Sequence, residues 1–191
     1  MQGNLLEGFW WKQKPGVTGF VVLSNVLGSP AHANISISDS DANVIANHSA
    51  TIPAHGSSLV NLSDLESAPS AEGGIRITYD GPSNGLEING GLEDPAVGYS
   101  AHLPLHFPPV TAAEHANQSF AALDLMKGAA DPMMSFPSGT TFSPYAVVRN
   151  ISNQPVTIRP SVWWMDGIVP RSIRLPQFTV APYHTRNLNL P

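Results

Sequence analysis

Apolar and polar residues alternate along short stretches of this chain, and clusters of Gly, Pro, Asn, Asp and Ser separate those stretches. In "ANISIS" (33–38) and "GIRITYD" (74–80) every second position is apolar. On an extended strand this puts Ile35 and Ile37, then Ile75, Ile77 and Tyr79, on one face, which is expected to be core. Turn vocabulary divides the strands: "NVLGSP", "DSDAN", "PAHGS", "DGPSNG" and "EDPAVG" early in the chain, then "NISNQP", "MDG" and "APYHT" near its end. Strands of roughly six residues at intervals of roughly ten to twelve predict an all-β sandwich or barrel. Seven candidate strands fall between residues 17 and 104, enough for an immunoglobulin-like sandwich.

The pattern occurs twice. Placing Asn25 on Asn150 also places Phe20 on Tyr145, Val22 on Val147, Pro30 on Pro155, Ile37 on Val162 and Asp41 on Asp166 without a gap. After a three-residue insertion in the second copy, "GSSLVNL" (56–62) falls on "HTRNLNL" (184–190). Shared strands, turns and spacing imply a duplicated supersecondary unit. At the shared Asn an apolar strand must leave its sheet, and an Asn side chain there can hydrogen-bond the turn backbone, while the Pro five residues on suits a strand entry. The fold class expected is therefore all-β, with tandem Ig-like β-sandwich units from an internal duplication.

Residues 1–106 are read as the first unit, 107–140 as a linker and 141–191 as a second, partial unit. Within the linker, Thr111 and Glu114 have capping-box spacing, and Ala113, Ala116 and Phe120 fall at helical intervals ahead of Lys127-Gly128. A short helix there and an extended crossing are equal alternatives, because the apolar stripe is thin. The second unit has no counterpart of residues 63–104 and is read as truncated. Its open half is expected to be completed by a longer parent chain, by the N-terminal "LLEGFWW", or by another copy.

Composition narrows the function classes. The 191 residues are 42% hydrophobic, enough for one or two ordinary cores. Only 12% are charged, and the net charge of −5 with scattered basic residues such as Lys12, Lys14, Arg76 and Arg159 offers phosphates no cationic face. Nucleic acid is not expected as a partner on that ground. Without cysteine there are no disulfides, thiol nucleophiles or Cys-ligated zinc. No apolar run has the roughly 18–20 residues of a membrane span, and the polar, acidic start does not read as a signal peptide.

Several constellations invite chemistry. "GPSNG" (81–85) matches the G-x-S-x-G elbow of serine hydrolases around Ser83, with Asp94 and His102 downstream in suitable order. The elbow needs a strand before and a helix after, whereas "LEINGG" reads as a strand, so a hairpin turn is preferred. "DSDAN" (39–43) starts like a calcium loop, but Val44 and Ala50 stand where the EF-hand needs Gly and Glu, and a turn is the simpler reading. His102 and His106 could share zinc on a helix. Pro104 argues for extended chain, which sets them about 13 Å apart. No metal or other cofactor is expected.

Trp10-Trp11 and Trp163-Trp164 are adjacent pairs. Neighbours on a strand point to opposite faces, so one ring of a pair can enter the core while the other is left to stack on a sugar or anchor a protein. These four residues are the candidate interaction surface, weighed against simple packing on the adjoining unit. Asn-x-Ser sequons begin at Asn34, Asn47, Asn61, Asn117 and Asn150.

The "N…P" corner in both copies, "GGIRITYDGP", "NGGLEDPAVGYSA" and "ADPMMSFPSGTTFSPYAVVRN" resemble modules of large secreted bacterial proteins built of tandem β-sandwiches, most of them uncharacterised. The resemblance covers most of the chain, rests on turn and strand features, and carries over no catalytic residue. What it implies is a secreted or cell-surface, multi-module setting. The expected function is a non-enzymatic structural or adhesive module that presents a surface and assembles with other modules of a longer parent chain or with copies of itself. A carbohydrate-binding module using exposed tryptophan is the alternative, and a hydrolase centred on Ser83 the remote one.

Overall fold

The computed structural model describes residues 4–12, 15–96, 98–106, 128–129, 139, 141–142, 145–166 and 168–189. In the first part of the chain these form β1 (Asn4–Trp11), β2 (Thr18–Asn25), β3 (Ala31–Asp39), β4 (Val44–Ile52), β5 (Ser57–Asn61), the helix α1 (Asp64–Ser67), β6 (Glu72–Tyr79), β7 (Leu86–Asp94), β8 (Tyr99–His102) and β9 (Leu105–His106). Later come β10 (Gly128–Ala129), β11 (Thr141–Phe142), β12 (Tyr145–Arg149), β13 (Val156–Ile158), β14 (Ser161–Asp166), β15 (Val169–Arg174), β16 (Phe178–Val180) and β17 (Thr185–Asn189). The protein is all-β, as the alternation predicts. The linker stretch read either as a short helix or as an extended crossing, residues 111–128, lies outside the described residues but for Gly128.

β1 to β9 make two antiparallel sheets, a five-stranded one in the order β4-β3-β6-β1-β9 and a four-stranded one in the order β5-β2-β7-β8. The strands between residues 17 and 104 number seven, β2 to β8, as read from the sequence. The core lies between the sheets. Leu6 and Trp10 enter it from β1, Val21 and Leu23 from β2, Ile35 and Ile37 from β3, Ile75 and Ile77 from β6, and Leu92 from β7. Period-two burial along β3 and β6 is the direct consequence of the sequence alternation. Each such side chain contributes about 2 kcal/mol through the apolar surface it withdraws from water.

"GPSNG" is not a hairpin tip. β6 pairs with β1 and β3 while β7 pairs with β2 and β8, so residues 80–85 carry the chain from one sheet to the other. Hairpin and crossover turns use the same residues, and only strand pairing separates them. "LLEGFWW" is likewise placed in the five-stranded sheet, against β6 along its whole length, and among the described residues it pairs with no strand of the second repeat.

The second repeat follows the first in register. β2 and β5 pair Phe20 with Asn61 and Ser24 with Ser57; β12 and β17 pair Tyr145 with Asn189 and Arg149 with Thr185, the aligned positions. β3 and β4 pair Ala31 with Ile52, and β13 and β16 pair Val156 with Val180. The corner repeats atom for atom. Asn25 Nδ2 donates to the carbonyls of Ser29, Ile52 and Pro53, and its Oδ1 accepts from Leu27 N. Asn150 Nδ2 donates to the carbonyls of Gln154, Val180 and Ala181, and its Oδ1 accepts from Ser152 N. Even the left-handed residue recurs, at His55 with φ 53° and at Tyr183 with φ 62°.

The copies diverge where β3 and β4 have their counterparts. A single ladder with a bulge at Ile37/Ser38 becomes two ladders, β13 with β16 and β14 with β15, interrupted at Arg159-Pro160. The three-residue insertion lengthens the hairpin, which ends with Asp166 paired to Val169. We refer to β14–β15 as the arm. Among the described residues no strand lies beside β14 on the edge that corresponds to the β6 side of β3.

Candidate functional site

Two features distinguish the second repeat from the first: a buried ionic contact that docks it, and the exposed arm. The docking surface is the outer face of the five-stranded sheet. On β1, alternation sends Leu6, Gly8 and Trp10 inward and Glu7 outward, yet Glu7 is 1% exposed. Arg149, at the end of β12, covers it. Arg149 Nη2 donates to Glu7 Oε2 at 2.9 Å, and its Nη1 donates to the Tyr183 carbonyl at 2.6 Å and to Thr185 Oγ1 at 3.3 Å. Arg76 Nε donates to Glu7 Oε1 at 2.6 Å, with its guanidinium 4.6 Å from the centroid of the Tyr183 ring. The carboxylate thus bridges two guanidiniums, one from each repeat.

Burial pulls the Arg149 pKa below its ordinary value and Arg76 adds to that, while the hydrogen bond and charge of Glu7 oppose them. An arginine stays protonated under such shifts, so its buried charge is met by the Glu7 carboxylate. Arg149 Nε is buried without a hydrogen-bond partner among the described residues, a cost that the Glu7 contact has to offset. Beside this contact, Arg186 Nη2 donates to Asp41 Oδ1 at 2.8 Å, and Thr185 N donates to the Ser40 carbonyl at 3.0 Å.

Gly73 and Gly74 on β6 make room on both faces at once. A Cβ on Gly73 would strike the Trp10 indole and the Ser38 carbonyl, and one on Gly74 would strike the Arg149 guanidinium. Neighbouring residues of a strand serve opposite faces, so one glycine admits the core tryptophan and the next admits the docking arginine.

The four tryptophans of the expected interaction surface differ in exposure. Trp10 is 0% exposed and donates its indole N–H to the Ser38 carbonyl at 3.0 Å; it is core and is not available to a partner. Trp11 is half-buried, 5.8 Å from the Phe9 ring centroid, and packs on the core. Trp163 and Trp164 are 73% and 47% exposed. Cross-strand register puts Trp163, Met165, Pro170 and Arg174 on one face of the arm, and Val162, Ile173, Trp164, Val169 and Arg171 on the other. Both faces are apolar. Ser38 occupies the aligned position of Trp163, so the tryptophan is a departure from the template rather than a requirement of the strand.

The remaining candidates are placed as follows. Ser83 sits in the sheet-to-sheet turn, where its carbonyl accepts the Tyr79 hydroxyl; β7 follows rather than a helix, and Asp94 ends that strand at its far end. In "DSDAN", Asp39 Oδ1 accepts from Asp41 N and Asn43 N, and Oδ2 accepts from Asn43 Nδ2. Burial works to raise the Asp39 pKa, but the hydrogen bonds from Asn43 and Asp41 and the nearby His184 win and hold it below the ordinary carboxylate value. His102 faces Gly91 in the four-stranded sheet and His106 faces Glu7 in the other. No group of three potential metal ligands occurs among the described residues, nor does any helix long and apolar enough to cross a membrane. The sequon at Asn150 is a corner whose amide is buried and fully committed, whereas Asn34, Asn47 and Asn61 are exposed; Asn117 lies outside the described residues. A shallow depression of about 390 Å³ between β16 and β17, lined by Leu175, Phe178 and Leu188 among others, is the open side of the second repeat.

The Glu7–Arg149 contact was not anticipated. Its signal was the repeat itself: Arg149 stands where the first copy has Ser24, at a strand end followed by the shared Asn. Compared with protein-family models, with curated proteins and with solved structures, the chain finds no match in any of the three.

Proposed function

We propose that the chain is a non-enzymatic structural or adhesive module of a secreted or cell-surface protein, acting by presenting its arm and assembling with neighbouring modules or copies. The observation that carries the reading is the arm: Trp163, Met165 and Ile168 are 73%, 63% and 93% exposed on a hairpin held out from the core. Burying such a surface against a partner releases ordered water and rewards association, and aromatic residues concentrate that gain. Passive presentation is supported by the Asn25, Asp39 and Asn150 side chains, which among the described residues close their own turns.

A second reading, glycan binding on a tryptophan platform, draws on the 73% exposure of Trp163. One experiment addresses both. The immobilised chain and its Trp163→Ser/Trp164→Ser variant are exposed to a glycan array and to the chain itself. Retention of either, lost in the variant, supports an interaction module and says which kind; retention unchanged in the variant, or none at all, overturns it.

A further inference from the structure

Charge is divided between the repeats. Residues 1–106 carry ten acidic and three basic side chains, net −7, whereas residues 141–191 carry five arginines and one aspartate, net +4. Arg149 and Arg186 are used in docking on the five-stranded sheet, which leaves Arg159, Arg171 and Arg174 along the stretch that includes the arm. Arg171 reaches Asp166 at 3.4 Å, a contact exposed on both sides and therefore weak. The arm accordingly combines exposed apolar side chains with a positive charge.

A surface of matching character lies on the other side of the sandwich. β2 buries Val21 and Leu23 and turns Phe20 and Val22 outward on the four-stranded sheet. Val22 lies between Leu59 and Asn89, and Leu59 is 63% exposed. Along β7 the same face carries Glu87, two residues before Asn89, and Glu93, two residues after Gly91. Apolar centre and flanking carboxylates complement the apolar arm and its guanidiniums.

We propose that the arm of one copy docks on the outer face of the four-stranded sheet of a second copy, Trp163 and Met165 covering Phe20, Val22 and Leu59 while Arg174 meets Glu87 or Glu93. The proposal rests on the assembly reading above and names its partner and surface. Within one chain the second repeat is fastened to the five-stranded sheet, on the opposite side of the sandwich from this strip. Each chain therefore offers both halves of the contact to others, and the contact repeats from copy to copy or is reciprocated in a pair. It follows the same chemistry by which Arg149 and Arg186 already join acidic side chains of the first repeat.

Sedimentation velocity over a range of protein concentrations, at low and high sodium chloride, tests it. The expected result is self-association that weakens with salt and about 30-fold on Trp163→Ser, as for a buried aromatic anchor. Arg174→Glu alone and Glu87→Arg/Glu93→Arg alone each dissociate, and the two mixed together associate again. Met165→Ser gives an independent check should any charge variant fail to fold. A chain that stays monomeric at every concentration, or self-association indifferent to these substitutions, overturns the proposal. If the monomeric chain still binds a glycan through Trp163, only the choice of partner has failed and the interaction-module reading stands.

Discussion

Arg149 and Glu7 are 142 residues apart in sequence and meet at 2.9 Å, with side chains 4% and 0% exposed. This ion pair joins the two repeats, beside the Arg186–Asp41 pair, at a position where one copy has an arginine and the other a serine. Taking two charges out of water is costly, so such a pair adds little net stability over an apolar substitute, but removing one member leaves the other stranded. Glu7→Gln and Arg149→Met are each expected to destabilise the chain by about 3–5 kcal/mol. The double variant should cost less than the sum of the two. Urea unfolding of the four chains measures the coupling.

Gly74→Ala separates docking from folding. The added methyl points away from the core and into the Arg149 guanidinium. Hydrogen exchange should then accelerate in β12 and β17 while β2, β3 and β6 keep their protection. Gly73→Ala, one residue away, should behave oppositely and lower the stability of the sandwich, because its methyl enters the Trp10 site.

The corners should respond alike. Asn25→Ala or Asn150→Ala strands the three carbonyls that each amide serves, a loss of about 2–3 kcal/mol. Thermal melts read the first, and local hydrogen exchange around β12 and β16 reads the second.

How much of this was legible follows from the range of each interaction. The corner asparagines could be read because part of their bonding is local, to Ser29 and Leu27 in one copy and to Gln154 and Ser152 in the other, and because the same sequence occurs twice; the bonds to Ile52, Pro53, Val180 and Ala181 were beyond its reach. The seven strands were legible from alternation. That residues 80–85 cross between sheets was not, since sheet membership is decided by partners such as β1 and β2, far along the chain. Trp10 and Trp163 are equally apolar in sequence; what separates them is Gly73 opposite one and open solvent around the other.

That separation gives a further prediction. Trp10→Ala is expected to cost about 3–5 kcal/mol in denaturant unfolding. Trp163→Ser, on an exposed hairpin, should change stability by no more than about 0.5 kcal/mol. A large loss of stability from Trp163→Ser would mean that the ring is structural.

The β3–β4 turn supplies a pH dependence. The folded-state pKa of Asp39 is depressed, so its contribution is present above the unfolded carboxylate value of about 3.9 and is lost as pH falls through the lower folded value. Asp39→Ala should therefore cost about 1–2 kcal/mol at neutral pH and progressively less on acidification below about pH 4. Paired melts of the two chains at neutral and acid pH check the sign.

The arm is bare in the isolated chain and, in the assembly proposed above, is covered by a partner. Oxidative footprinting of Trp163, Trp164 and Met165, read by mass spectrometry, measures this directly. In dilute chain these residues should label far faster than Trp10, and they should become protected, with Trp10 unchanged, once the chain is assembled or bound. Arm residues that are already protected in the dilute chain, or that label as fast in the assembled state, would contradict it.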